Sequence, residues 1–134
     1  MEKTLYVTDL DGTLLNKQDS ISPFSIQTIN NLVNQGMLFT YATARSLVSA
    51  SKVTKGLSTN IPIIAYNGAF IFQPSTGEIL SKEDFTEEER IRVKGVLNEH
   101  HISPLVYSFI DGIEKVSWIP QNENEGISRY MIFF

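Results

Sequence analysis

The sequence predicts an α/β fold: a parallel sheet with crossover helices, followed by a smaller α+β region. Three observations carry this. Residues 5–66 read strand, helix, strand, helix, strand, the order that builds parallel sheets. The strand segments are nearly continuous apolar runs, as expected when both faces are covered. After Asn67-Gly68 the pattern changes to hairpin signals around one capped helix. The bulk composition agrees. A chain of 134 residues, 42% hydrophobic and 19% charged, is an ordinary globular one. A net charge of -4 argues against nucleic acid or a membrane surface as partner. There is no cysteine, which excludes disulfides and thiol chemistry. No apolar run is long enough to span a bilayer, and the first twelve residues lack a secretory apolar region. A cytoplasmic location is therefore the default expectation.

Taken in order, Leu5 to Thr8 is short, apolar and β-prone, and reads as a buried strand. Residues 14–21 read as a loop or small flap. Ser22 then caps a helix, and Pro23 takes its first position, where a missing N–H costs nothing. Ile26, Ile29, Leu32 and Val33 form one apolar face, and Gly36 supplies the left-handed stop. Met37 to Ala42 is the second strand, Ser46 to Leu57 a weaker helix, and Ile61 to Tyr66 the third strand. Ala69–Gln73 and Glu78–Ser81 flank the turn Pro74-Ser75-Thr76-Gly77. Thr86 and Glu89 form a capping box that opens a helix to about Asn98. Leu105–Ile110 and Ile113–Trp118 are joined by Asp111-Gly112, a turn pair favoured in hairpins. Gln121 to Gly126 reads as a polar loop and Arg129 to Phe134 as a last strand.

The chemistry is concentrated where the first strand ends. Asp9 and Asp11 follow it directly. Residues i and i+2 lie on one side of an extended chain, so both carboxylates can face one ligand. Thr43 ends the second strand and Asn67 the third, so three strand ends converge on one rim. Like charges this close repel unless a cation intervenes, and Mg²⁺ favours such oxygen donors while sharing its shell with a phosphate. An aspartate so placed can attack phosphorus, and its neighbour can shuttle the proton. Gly12 lets the backbone turn sharply. The Thr43 hydroxyl and the N–H groups after it suit a phosphoryl oxygen. Plainer readings stand beside these. Thr43 can be a helix cap, Arg45 a surface or capping arginine, and Asn67-Gly68 a turn that needs positive φ. His100-His101 fits a helix end better than a metal site.

Asp9-Leu10-Asp11-Gly12-Thr13 resembles the first motif of the haloacid dehalogenase (HAD) superfamily. Thr43-Ala44-Arg45 resembles its second motif, with Ala44 where glycine is usual. Tyr66-Asn67-Gly68-Ala69 is similar to a segment of the Cof-type subgroup, which inserts an α+β cap after the third strand. The resemblance implies a Rossmann-like core over residues 1–81 and part of a cap over 82–134. It implies a Mg²⁺-dependent phosphatase of small phosphorylated metabolites, sugar phosphates among them, working through an aspartyl phosphate. Asp9 would be nucleophile and metal ligand, and Asp11 acid/base and metal ligand through its carbonyl. Leu10, Gly12, Thr13, Thr43, Ala44, Arg45 and Asn67 would hold the phosphoryl group or the substrate.

The same resemblance implies two further elements that do not appear: a lysine after the cap and an acidic segment completing the metal site. The chain is therefore expected to be the front half of such an enzyme, poorly active alone. Its first strand is then expected to leave an apolar edge open, to be covered by self-association or by a complementing C-terminal half. Two other functions compete: a phosphosugar mutase of similar build, and a truncated, non-catalytic product.

Overall fold

A computed structural model of the chain describes residues 3–131. The chain divides into two compact units, Met1–Glu83 and Asp84–Phe134. The fold is α/β: a Rossmann-like parallel core followed by antiparallel sheets.

In the first unit, β1 (Leu5–Thr8) pairs in parallel with β2 (Leu38–Tyr41), from Leu5↔Leu38 to Thr8↔Tyr41. A single parallel bridge, Ala42 to Ile64, leads on to β3 (Ile63–Ala65). One bridge is a thin seam, and side chains reinforce it. The buried Thr40 hydroxyl donates to Pro62 O at 2.9 Å, and Asn60 Nδ2 donates to Met37 O at 3.2 Å. Beyond β3 the sheet turns antiparallel through β4 (Phe70–Phe72) and β5 (Ile79–Lys82).

Between β1 and β2 runs α1 (Pro23–Asn34). Ser22 caps it as expected, accepting the Ser25 N–H at 3.0 Å. Gly36, at φ +98, turns the chain into β2 in a conformation that would strain any other side chain. Asn30 ties α1 to the loop that precedes β3 through Gly56 O (2.8 Å) and the Ser58 N–H (2.7 Å). The second crossover helix, α2 (Leu47–Val53), stops four residues short of the expected Leu57. Its seven residues begin one position after Ser46, whose hydroxyl accepts the Ser49 N–H at 3.1 Å. The core of this unit is small: Leu10, Ala50, Ala65 and Phe72 are fully buried, with Ile63 and Tyr41 nearly so.

One expectation fails in a revealing way. The first strand was expected to be buried, yet Leu5, Tyr6 and Val7 are each about half exposed (48%, 54% and 49%). Among the described residues β1 has one neighbouring strand, so its second edge and parts of both faces stay open.

In the second unit, Thr86 opens α3 (Glu87–Glu99) with both bonds of the capping box in place. β6 (Val106–Ile110) and β7 (Ile113–Ser117) pair across Asp111-Gly112, both at positive φ as a tight two-residue hairpin requires. The expected polar loop from Gln121 to Gly126 is shorter than it reads, with a 3-10 turn over Pro120–Asn122. The expected strand from Arg129 is instead the end of α4 (Glu125–Met131); residues 132–134 lie outside the described residues. The physical reason is local. Asn124 Oδ1 accepts the Ile127 N–H at 3.1 Å, a helix cap, and Glu125 favours the first turn. Over 129–131 the strand-like composition gives way to that start signal. One of these residues, Tyr130, packs edge-on against Tyr107.

Candidate active site

The site is built from the carboxyl ends of the three parallel strands, all within the first unit. Main-chain bonds fix their relative height. Ala42 N–H donates to Thr8 O at 2.9 Å and Thr43 N–H to Ile64 O at 3.0 Å. Tyr66 N–H then donates to Arg45 O and Asn67 N–H to Thr43 O, both at 3.0 Å. The third strand end is thus tied to the loop after the second. An open pocket of about 480 Å³ results, lined by Asp9, Asp11, Ala42, Thr43, Ala44, Ile64, Asn67 and Gly68. That volume suits a small metabolite.

Asp9 leaves β1 in extended conformation and is exposed, with Oδ1 accepting the Leu10 N–H at 2.7 Å. Leu10 is itself fully buried, so its side chain anchors the turn while its amide faces the carboxylate. The chain then makes one wide turn, closed by Leu15 N–H to Leu10 O at 2.9 Å. Gly12 stands at φ +72 with open space around it, so its need for glycine is conformational rather than steric. Gly12 and Thr13 are exposed on this turn and do not line the pocket.

Thr43 is buried, and its hydroxyl accepts the Arg45 N–H at 3.1 Å. This is a local hydroxyl turn, because Ser46 rather than Thr43 caps α2. The amides of the helix start are therefore not the groups next to Thr43. Ala44 is exposed and lines the pocket.

Arg45 is not among the lining residues. Its guanidinium grips Asp11 from two nitrogens: Nε to Oδ2 at 2.9 Å and Nη2 to Oδ1 at 2.6 Å. Those hydrogen bonds, with the arginine's charge behind them, hold the Asp11 carboxyl below its ordinary value against some desolvation. A depressed folded value stabilises the fold fully above the unfolded carboxylate value, and the gain fades as pH falls through the folded one. Denaturation midpoints of the wild type and Asp11→Asn are therefore expected to converge progressively as pH falls below about 5. This pairing was not foreseen, since 34 residues separate the two side chains.

Tyr66, Asn67 and Gly68 all stand at positive φ (+52, +56 and +94). A left-handed tyrosine is costly, and the two clamped N–H groups hold it there. Tyr66 packs on Phe70 with ring centres 5.1 Å apart, which adds to the hold. The positive-φ turn and the pocket-lining position of Asn67 thus occur together. Asn67→Ala is expected to lose about 1 kcal/mol of stability in a urea titration, whereas Asn67→Gly should lose none. Both variants would remove the pocket amide, so comparing them separates backbone strain from any contribution to binding.

Whether these residues suit Mg²⁺ can be judged from their donors. Asp9 supplies a carboxylate at the rim, a hard oxygen donor of the kind such an ion takes alongside waters and a phosphate, whereas both Asp11 carboxylate oxygens are held by Arg45, which leaves the Asp11 main-chain carbonyl as its donor. Among the described residues there is no group of three acidic, histidine or cysteine side chains placed to hold an ion. The pair fits part of a Mg²⁺ shell.

The family model for haloacid dehalogenase-like hydrolases matches residues 6–131. The chain belongs to that family. Pyridoxal phosphate phosphatase YbhA of Escherichia coli is 27% identical to this haloacid dehalogenase-like chain over 107 residues, 80% of the chain and 39% of YbhA. The 5-amino-6-(5-phospho-D-ribitylamino)uracil phosphatase YitU of Bacillus subtilis is 36% identical over 70 residues, 52% of the chain and 26% of YitU. A crystal structure of a Thermotoga maritima protein superposes with TM-score 0.69 at 28% identity, over 98% of this chain and 46% of that one. A superfamily phosphatase of Bacteroides thetaiotaomicron shares the fold with TM-score 0.72 at 20% identity, over 97% of this chain and 47% of that one. The chain spans less than half the length of these relatives. No helix among the described residues is long and apolar enough to cross a membrane.

Proposed function

We propose that this chain carries the nucleophile side of a Mg²⁺-dependent phosphatase acting on small phosphorylated metabolites. The observation that carries the reading is that Asp9, Asp11, Thr43 and Asn67, from three strand ends, line one pocket. Family membership supports it, as do two relatives named as phosphatases of small phosphorylated compounds. A Cof-type assignment and a cytoplasmic location are part of the same proposal.

In this reading Asp9 attacks with Oδ2, because Oδ1 is committed to the Leu10 N–H. A bond forms from Oδ2 to phosphorus and the ester P–O bond breaks. Asp11 gives its proton to the leaving alcohol oxygen. Water then attacks the aspartyl phosphate, Asp11 takes the water proton, and Asp9 is released with inorganic phosphate. Thr43, Ala44 and Asn67 face the phosphoryl oxygens and the substrate. Leu10, Gly12 and Thr13 shape the turn that presents the two aspartates. Asp9 and the Asp11 main-chain carbonyl would hold Mg²⁺, which neutralises phosphate charge when bound. Arg45 keeps Asp11 ionised as found, the form that can take a proton but a weaker base than a free carboxylate. Asp11 can carry a proton for the first step only when that contact loosens.

Beryllofluoride with Mg²⁺, an analogue of the phosphoryl group, tests the central claim by fluorine NMR. The expected result is a bound resonance that Asp9→Asn removes. No bound species, even with the polypeptide extended to the length of its relatives, would overturn the reading.

The open side of β1 belongs to the same proposal. Leu5, Tyr6 and Val7 lie half exposed beside a strand edge that is unpaired among the described residues, a surface proteins rarely leave bare. We assign it to a further β-strand, from a complementing C-terminal half or a second copy. Light scattering of the purified 134-residue chain should show self-association; a clean monomer at high concentration would count against a bare edge.

A further inference from the structure

Arg45 joins more groups than its place beside the pocket requires. Besides Asp11, Nη1 donates to Ser49 Oγ on α2 at 3.3 Å, and Nη2 lies 3.6 Å from Asp19 Oδ1. The last is an ion pair too long for a hydrogen bond. The guanidinium is the sheltered member, 20% exposed against 50% for Asp11 and 57% for Asp19, so both carboxylates come to it. Asp19 arrives from the 15–22 loop, which is built to deliver it. Asn16 Oδ1 accepts the N–H groups of Gln18 (2.9 Å) and Ser20 (3.2 Å), and the Asn16 N–H donates to Ser20 O (2.9 Å). Asp19 itself stands at φ +51, at the turn of this small ring.

We propose that Arg45 is a positioning residue with two tasks. It holds the Asp11 carboxylate on the pocket rim, and through Asp19 it ties the 15–22 loop down beside that carboxylate. The functional meaning of the first task rests on reading Asp11 as the acid/base; the shared contact does not. Two carboxylates on one cation compete. Asp11 holds it with close bonds from two nitrogens and Asp19 holds it at longer range. Removing the Asp11 charge therefore frees Arg45 to close on Asp19 and tighten the loop. A lysine cannot reproduce the arrangement, since its single ammonium offers no planar fork.

The test is amide hydrogen exchange at Gln18, Asp19 and Ser20 in the 134-residue chain, read by NMR at constant pH. Asp19→Asn and Arg45→Met are each expected to raise exchange roughly two- to fivefold, the range of a partly exposed ion pair. Asp11→Asn is expected to lower it by a similar factor, and to do nothing in an Arg45→Met background. The opposite sign is the signature, because a site that merely loosened would exchange faster in every variant. Unchanged exchange in Arg45→Met, or faster exchange in Asp11→Asn, would overturn the proposal. If Arg45→Met does not fold, the opposed effects of Asp19→Asn and Asp11→Asn decide it alone. The readout needs no turnover. Failure of the phosphatase reading would leave it standing, and an unresponsive loop would leave Asp9 as proposed.

Discussion

Asp9→Asn is expected to abolish phosphate-ester hydrolysis, with a loss of at least about 10³-fold, as for removal of a covalent nucleophile. The substitution is clean. An asparagine oxygen can still accept the Leu10 N–H, and Asp9 is exposed, so stability should change by no more than about 0.5 kcal/mol. Asp11→Asn gives the informative contrast. It removes proton transfer, which is worth roughly 10²- to 10⁴-fold, but p-nitrophenolate leaves without needing a proton. The Asp11 variant should therefore lose more activity on an alkyl phosphate than on p-nitrophenyl phosphate, while the Asp9 variant loses both equally. Mg²⁺-dependent initial rates on the two esters measure this. An Asp9→Asn variant retaining a tenth of the wild-type rate would refute the role given to that residue.

The second large effect concerns the 134 residues themselves. Alone, they are expected to hydrolyse p-nitrophenyl phosphate at least about 10²- to 10³-fold more slowly than a chain extended to its relatives' length. Phosphoryl transfer is catalysed almost entirely by positioning and charge. No lysine lines the described pocket, and the nearby cation, Arg45, grips Asp11. Losing one well-placed donor costs about 3–4 kcal/mol of barrier in other oxyanion sites, which is that range of rate. Parallel assays of the two lengths at saturating Mg²⁺ test this. Equal rates, both lost on Asp9→Asn, would show that the pocket described here is sufficient.

Much of the architecture was legible because its signals are local. Ser22 with Pro23, the Thr86–Glu89 box, and Asp111-Gly112 each work through hydrogen bonds or φ preferences within a few residues, and each occurs where expected. The aspartate pair was legible for the same reason, since its spacing after an apolar strand is a short-range pattern. Two of the failures were a local conflict and a question of extent, while the burial expected of β1 failed for a tertiary reason. Residues 129–131 carried strand-like composition downstream of an Asn124 cap, and the cap prevailed. The second crossover helix ended at Val53, short of the expected Leu57, and nothing in its composition marked that point.

By itself, then, the sequence determined the order of elements, their caps and turns, and the carboxylates that end the first strand. Only the tertiary structure decided which distant groups meet. It brought Arg45 onto Asp11 and Asp19, set the Tyr66 and Asn67 amides against the carbonyls of Arg45 and Thr43, and left β1 half exposed. The reason is physical. A cap or a turn is a property of neighbouring dihedral angles, whereas burial and charge pairing depend on what else the chain brings to the same place.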